Sequence, residues 1–104
     1  MNAIIPREST PGVREFPVMN GKQYYHQTHT VVIVNVKSFS REDLFLELFG
    51  DALYIRTHGN ILISSILFES KYDCQLLTAR LENDTVVVTV PISTRPRSRI
   101  INLE

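Results

Sequence analysis

One cysteine, Cys74, is all the thiol chemistry this chain of 104 residues contains. An internal disulfide is therefore excluded, and a reducing compartment is the simpler setting. Charge of neither sign is in excess: Lys plus Arg and Asp plus Glu both total 11. No global field draws the chain toward nucleic acid or an anionic membrane, and near-zero net charge does little to keep copies apart. No apolar run approaches the roughly 20 residues that span a bilayer. The first residues, Met1 to Glu8, lack the basic start and long apolar core of a secretory signal. These absences predict a soluble, cytoplasmic protein. Four isolated glycines cannot build a phosphate-cradling loop, so nucleotide-driven chemistry has no foothold. Ser64 and Ser65 sit in no nucleophile elbow, and Cys74 has only Lys71 near it in sequence, so no catalytic residue is assigned. The chain reads as a non-enzyme without a cofactor.

What is present is a sheet-forming pattern. Hydrophobic residues make up 43% and charged residues 21%, an ordinary globular balance for one domain with a single core. Leu77, Ala79 and Leu81 alternate with Thr78, Arg80 and Glu82, the period of a half-buried strand. Asn83-Asp84 accepts a tight turn, and Thr85 to Val90 is β-branched throughout before Pro91 ends the run. Further strands are expected at Thr30–Val36, Ala52–Thr57 and Ile61–Phe68, with a bend at the serine pair, and a weaker one at Tyr24–Thr28. Leu44 to Phe49 fits two periods. Ser40 with Asp43 resembles a helix cap, whereas Gly50-Asp51 after only six residues suits a hairpin and favours a strand. Seven or so short strands predict an all-β fold, an antiparallel β-sandwich.

Residues 1–22 hold three of the five prolines and two of the four glycines, and read as an extended arm carrying Ile4, Ile5, Phe16 and Val18. The sandwich spans residues 23–91, with Tyr72 as an apolar anchor in the polar 69–75 connection, and 92–104 form a C-terminal extension. His26 and His29 would lie on opposite faces of a strand, so neither they nor His58 compose a metal site. Arg95, Arg97 and Arg99 alternate along an extended segment; a solvated tether is favoured over a phosphate or acidic-partner contact. Ile101 and Leu103 then place two branched apolar side chains on one face of the tail. They serve either as a peptide that docks in a groove or as a closing strand of the domain.

Three stretches, in order and spacing, resemble the α-crystallin domain of small heat-shock proteins over residues 24–103. They are Val34–Leu44 (strand, bend and Glu42-Asp43 lead-in), Leu46–Ile55 (hairpin) and Ala79–Pro91 (signature hairpin ending in proline). The resemblance implies an immunoglobulin-like sandwich of seven strands. It also implies an edge groove lined by Leu46, Leu48, Ala79 and Leu81, into which a neighbour's Ile101 and Leu103 fit. By the same resemblance the chain is an ATP-independent holdase for partly unfolded client proteins, self-associating, with the arm adding client contacts. Its departures are specific. Lys37-Ser38 replace a common Pro-Gly bend, Asp84-Thr85-Val86 stand where Gly-Val-Leu is typical, and Ser64 replaces a common arginine. Gly59-Asn60 closes directly into Ile61, leaving no room for the loop strand that many members exchange between subunits. Self-association by a swapped loop strand is therefore not expected. A short arm and no swap loop also fit a second function, an adaptor resembling CS-type domains that docks one specific protein partner.

Overall fold

The computed structural model describes residues 12–94 and 101–103. Eight strands run in chain order: β1 (Arg14–Val18), β2 (Gly21–Tyr25), β3 (His29–Asn35), β4 (Leu44–Phe49), β5 (Ala52–Thr57), β6 (Leu62–Leu67), β7 (Thr78–Glu82) and β8 (Thr85–Pro91). They form two antiparallel sheets, one ordered β1-β2-β3-β8-β7 and the other β4-β5-β6. The expected antiparallel β-sandwich is thus present, and Leu44–Phe49 is a strand. Ser40 does donate to the Asp43 carboxylate at 3.2 Å, but the turn it starts is a single 3-10 turn, Arg41–Asp43.

The spine is the β3–β8 ladder, in which His29 to Asn35 pair residue by residue with Pro91 to Thr85. Alternation along both strands sends Val32, Val34, Val88 and Val90 inward, each fully buried. The three-stranded sheet answers with Leu53, Ile55, Ile63 and Ile66. Tyr72, the anchor of the 69–75 connection, closes one end of this core at 2% exposure, and Cys74 is buried beside it in the chain. Tight turns set the registers. Asn20, Gly50 and Asn83 occupy two-residue hairpin loops with φ of 60°, 63° and 54°, the left-handed values that asparagine and glycine tolerate best. The β5–β6 connection is only residues 58–61, so no further strand lies between them.

The structure corrects the reading of residues 1–22 as an arm. Residues 14–18 and 21–22 belong to a hairpin, and Arg14, Phe16 and Val18 pair across from Tyr25, Gln23 and Gly21. Phe16 and Val18 are therefore strand residues: the Phe16 ring meets Tyr25 edge-on at 5.3 Å, and Val18 packs against the core. Prolines obscured this strand, yet β1 is an edge, and an edge accepts Pro17 where its nitrogen faces outward. The weak strand expected at Tyr24–Thr28 starts earlier, at Gly21, because residues 26–28 form the turn into β3.

The bend expected at the serine pair sits one residue earlier, where the β5–β6 register slips between Ile55 and Arg56. The slip leaves Ile63 and Ser64 both buried on adjacent positions of β6. The Ser64 hydroxyl donates to the Met19 carbonyl at 2.6 Å, and the Asn20 amide donates to the Ile63 carbonyl at 2.7 Å. The β1–β2 turn is in this way bonded to the bulged strand of the opposite sheet.

Gly21 is the tightest point of this arrangement. A Cβ there would lie 1.9 Å from the Ile33 carbonyl oxygen and 2.9 Å from the Val34 Cα, both backbone atoms that cannot rotate away. Gly21→Ala should therefore lower stability by about 2–3 kcal/mol or more, as overpacking against rigid neighbours does. Gly50→Ala meets nothing within 4 Å and carries only the cost of its φ of 63°, about 1–2 kcal/mol. Urea midpoints of the two variants check this order.

Candidate functional site

Each sheet of a sandwich ends in strands with unpaired backbone groups. On one side of this molecule the two exposed ends are β4 and β7, and a cleft of about 210 Å³ opens between them. Its lining is Arg41, Leu44, Leu46, Ala79, Arg80, Leu81 and Val86. The walls follow from strand alternation: Leu44 and Leu46 lie across β5 from Thr57 and Ile55, and Ala79 and Leu81 lie across β8 from Val88 and Val86. All four therefore point toward the space between the sheets, but with no third strand beyond them they stay partly open to solvent.

Three of the four residues expected to line a groove, Leu46, Ala79 and Leu81, come together here. Leu48 does not join the lining; it shares their face of β4 one pair further on, opposite Leu53, and is 36% exposed. Leu44 and Val86 were missed. Leu44 was available from the same alternation as Leu46, whereas Val86 forms the floor only because β7 and β8 pair in this register. Arg41 and Arg80 set two cationic groups beside the apolar walls, and Arg80 ion-pairs with Glu82. The arrangement has no group for bond-making. It can take an extended segment with branched apolar side chains two residues apart, adding to an open strand edge.

Ile101 and Leu103, the tail pair, are 75% and 100% exposed, so the tail neither fills this groove in its own chain nor closes the sheet as a strand. Arg95, Arg97 and Arg99 of the tether, and Ile4 and Ile5, lie outside the described residues.

The histidines differ from the expectation of opposite strand faces. His26 belongs to the turn and His29 opens β3, so their rings stack at 4.5 Å and 10°. The His29 Nδ1 lies 2.8 Å from the Thr28 hydroxyl. His58 stacks on Phe45 at 5.1 Å, on the other sheet. Among the described residues no group of three or more His, Cys, Asp or Glu is placed to hold a metal ion, and no helix is long and apolar enough to cross a membrane.

Burial, and then the neighbouring His26, hold the His29 pKa below its ordinary value of 6.5. The folded chain thus binds this proton more weakly than the unfolded chain does. The stabilising contribution is complete above pH 6.5, and it falls away as pH drops from there through the folded-state value. His29→Gln should flatten the fall of the urea midpoint between about pH 7 and pH 5; slopes equal to those of the parent chain would show that the stacked pair is not felt.

No family model and no curated protein matches the sequence. The fold does have solved relatives. Stress-induced protein 1 from Caenorhabditis elegans superposes with a TM-score of 0.57 at 15% identity, covering 79% of this chain and 97% of that one. A small heat-shock protein from Xylella fastidiosa gives 0.58 at 11% identity over 88% and 95% of the two chains. Heat shock protein 16.0 from Schizosaccharomyces pombe gives 0.57 at 19% identity over 99% and 89%. The fold is that of the small heat-shock proteins, an α-crystallin-type β-sandwich.

Proposed function

We propose that the chain is an ATP-independent chaperone of the small heat-shock type, a holdase that binds partly unfolded proteins at its apolar edges. The observation that carries this reading is the β4–β7 groove, with half-buried Leu44, Leu46 and Leu81 between two open strand edges. An unfolded chain offers what such a site accepts, namely extended backbone with alternating apolar side chains. The α-crystallin-type fold of the three solved relatives supports the same reading.

Self-association follows from the same groove. Ile101 and Leu103 are exposed in their own chain, and in this reading they dock on Leu46, Ala79 and Leu81 of a neighbour. Covering the two side chains contributes roughly 1.5–3 kcal/mol each. Ordering three tail residues costs about 1–2 kcal/mol apiece, so the two sides nearly cancel. A single tail therefore binds weakly and reversibly, and assembly depends on several tails acting at once. That weakness suits a holdase, because tail and client compete for one groove. With residues 58–61 joining β5 to β6, assembly proceeds without a swapped loop strand. The buried thiol of Cys74 is compatible with a reducing cytoplasm.

Light scattering of a heated client protein, without nucleotide, checks the activity: excess chain should suppress aggregation, and unchanged scattering would remove the holdase reading. Native mass spectrometry checks the assembly. Ile101→Ala with Leu103→Ala, and separately Ala79→Arg, should each shift the protein toward smaller species. Ala79 is exposed, so its replacement should leave the urea midpoint within about 0.5 kcal/mol of the parent. A monomer in all three chains would instead favour the adaptor on the same scaffold.

A further inference from the structure

The β1–β2 turn carries a chemistry that the groove does not use. Asn20-Gly21 is the one place in the sequence where an asparagine precedes a glycine. Asn2, Asn35, Asn60, Asn83 and Asn102 precede Ala, Val, Ile, Asp and Leu instead. The Cγ of an asparagine is open to attack by the backbone nitrogen of the residue that follows. A β-carbon on that following residue crowds the attack, and glycine has none.

Water already reaches this pair. Asn20 is exposed and borders a cleft of about 580 Å³, with Asn35, Lys37 and Ser38 on its polar side. Solvent base is therefore at hand, and geometry is what restrains the reaction. Ring closure needs the Gly21 nitrogen and the Asn20 Cγ about 3–3.5 Å apart and aligned. Asn20 is the second residue of its two-residue loop and has a φ of 60°. There a positive φ goes with a ψ near zero or somewhat above, which sets Cβ and the next nitrogen well apart about the Cα–C bond. Three bonds hold that conformation. The Asn20 side-chain nitrogen donates to the Ile63 carbonyl at 2.7 Å, the Asn35 N–H donates to the Asn20 carbonyl at 2.8 Å, and Ser64 donates to the Met19 carbonyl at 2.6 Å.

β1 is an end strand, and end strands open locally before a core does. In the open hairpin the peptide turns freely and the ring can close. The Gly21 nitrogen gives its proton to solvent base and bonds to the Asn20 Cγ; the Cγ–Nδ2 bond breaks, and ammonia leaves with a proton from solvent. Water then adds to either carbonyl of the five-membered imide, and the ring opens to an aspartate or an isoaspartate. Nothing is oxidised or reduced. Neither product restores the contact between the sheets. Ile63 presents a carbonyl, and an ionised carboxylate has no N–H to give it, so two oxygens would meet where a bond of 2.7 Å stood. Isoaspartate also lengthens the main chain by one atom just before Gly21, where a Cβ would already lie 1.9 Å from the Ile33 oxygen.

We propose that Asn20 is a deamidation site gated by the fold. The closed β1–β2 hairpin restrains the reaction, opening permits it, and either product keeps the turn from bonding to β6 again. The event runs one way, so the modified fraction records how often this hairpin has opened. This inference stands apart from client binding and holds or fails whether or not the chain is a holdase.

Peptide mapping of the full chain tests it. The protein is incubated in mildly alkaline buffer, with and without urea at an unfolding concentration, and digested with trypsin beside an unincubated control. The expected product is a single deamidation in the Glu15–Lys22 peptide, whose one side-chain amide is Asn20. It should form roughly tenfold or more slower in the folded chain than in urea. Deamidation mainly in another peptide, or equal rates in the two conditions, would overturn the proposal. Ser64→Ala removes the neighbouring bond to Met19 and should speed the folded-state reaction by roughly twofold to tenfold. Asn20→Asp stands for one product: its urea midpoint should fall, and the Asn35 N–H that donates to residue 20 should exchange with deuterium roughly tenfold faster. An unchanged rate in the first variant, or an unchanged midpoint and exchange in the second, would overturn it equally.

Discussion

The β3–β8 ladder is the interaction on which the rest of the molecule depends. Seven consecutive pairs place two β-branched strands side by side, with every second residue sealed between the sheets. A slip of one strand by one residue would turn its inward valines, Val32 and Val34 or Val88 and Val90, to the outer face, so the hydrophobic term fixes one register. β2 and β7 then add on either side, each held by a two-residue turn or a short connection to its neighbour. The smaller sheet has no comparable spine. It is located by the Leu53, Ile55 and Ile66 side chains that it presents to the valines, and by the two bonds from the β1–β2 turn to β6.

Edges organise what the molecule offers to others. Two sheets leave four end strands, β1, β7, β4 and β6, and these are not equivalent. At the β1–β6 side the Asn20 amide takes up the Ile63 carbonyl, so that part of the edge is already occupied. At the β4–β7 side the Arg41–Asp43 turn borders the cleft, but among the described residues no strand closes it and Leu44, Leu46 and Leu81 stay partly exposed. The asymmetry traces to a hairpin of ordinary residues, in which Met19-Asn20 turns toward the opposite sheet and Gly21 lets the backbones approach closely.

Much of this was legible in the sequence because strand alternation is a local signal. The β7 segment carries it, the β-branched run of β8 adds to it, and from such strands the sandwich followed, while the groove residues came from the resemblance. What was not legible depended on pairing partners. Gly, Pro and Asn make up five of residues 11–21, and their local preference is for turns. β1 exists because β2 lends it an edge, and no residue within β1 announces that. Ser64 looked like a missing arginine; its hydroxyl is a buried bond to Met19, invisible until residues 45 apart are brought together. The histidine pair was misplaced for the same kind of reason: a spacing of three means opposite faces on a strand and adjacent rings in a turn.

Pro17 carries a consequence for how copies of this chain can be joined. A sheet grows by repetition only if each newly added strand offers a full row of donors to the next. β1 is an end strand of the larger sheet, and with Pro17 fourth of its five residues that row is one donor short. A strand added beside β1 would find one backbone donor missing, so edge-to-edge growth is weakened on that flank. If the β4–β7 edge takes a strand as proposed, Pro17 weakens the second edge on which a repeating assembly would depend.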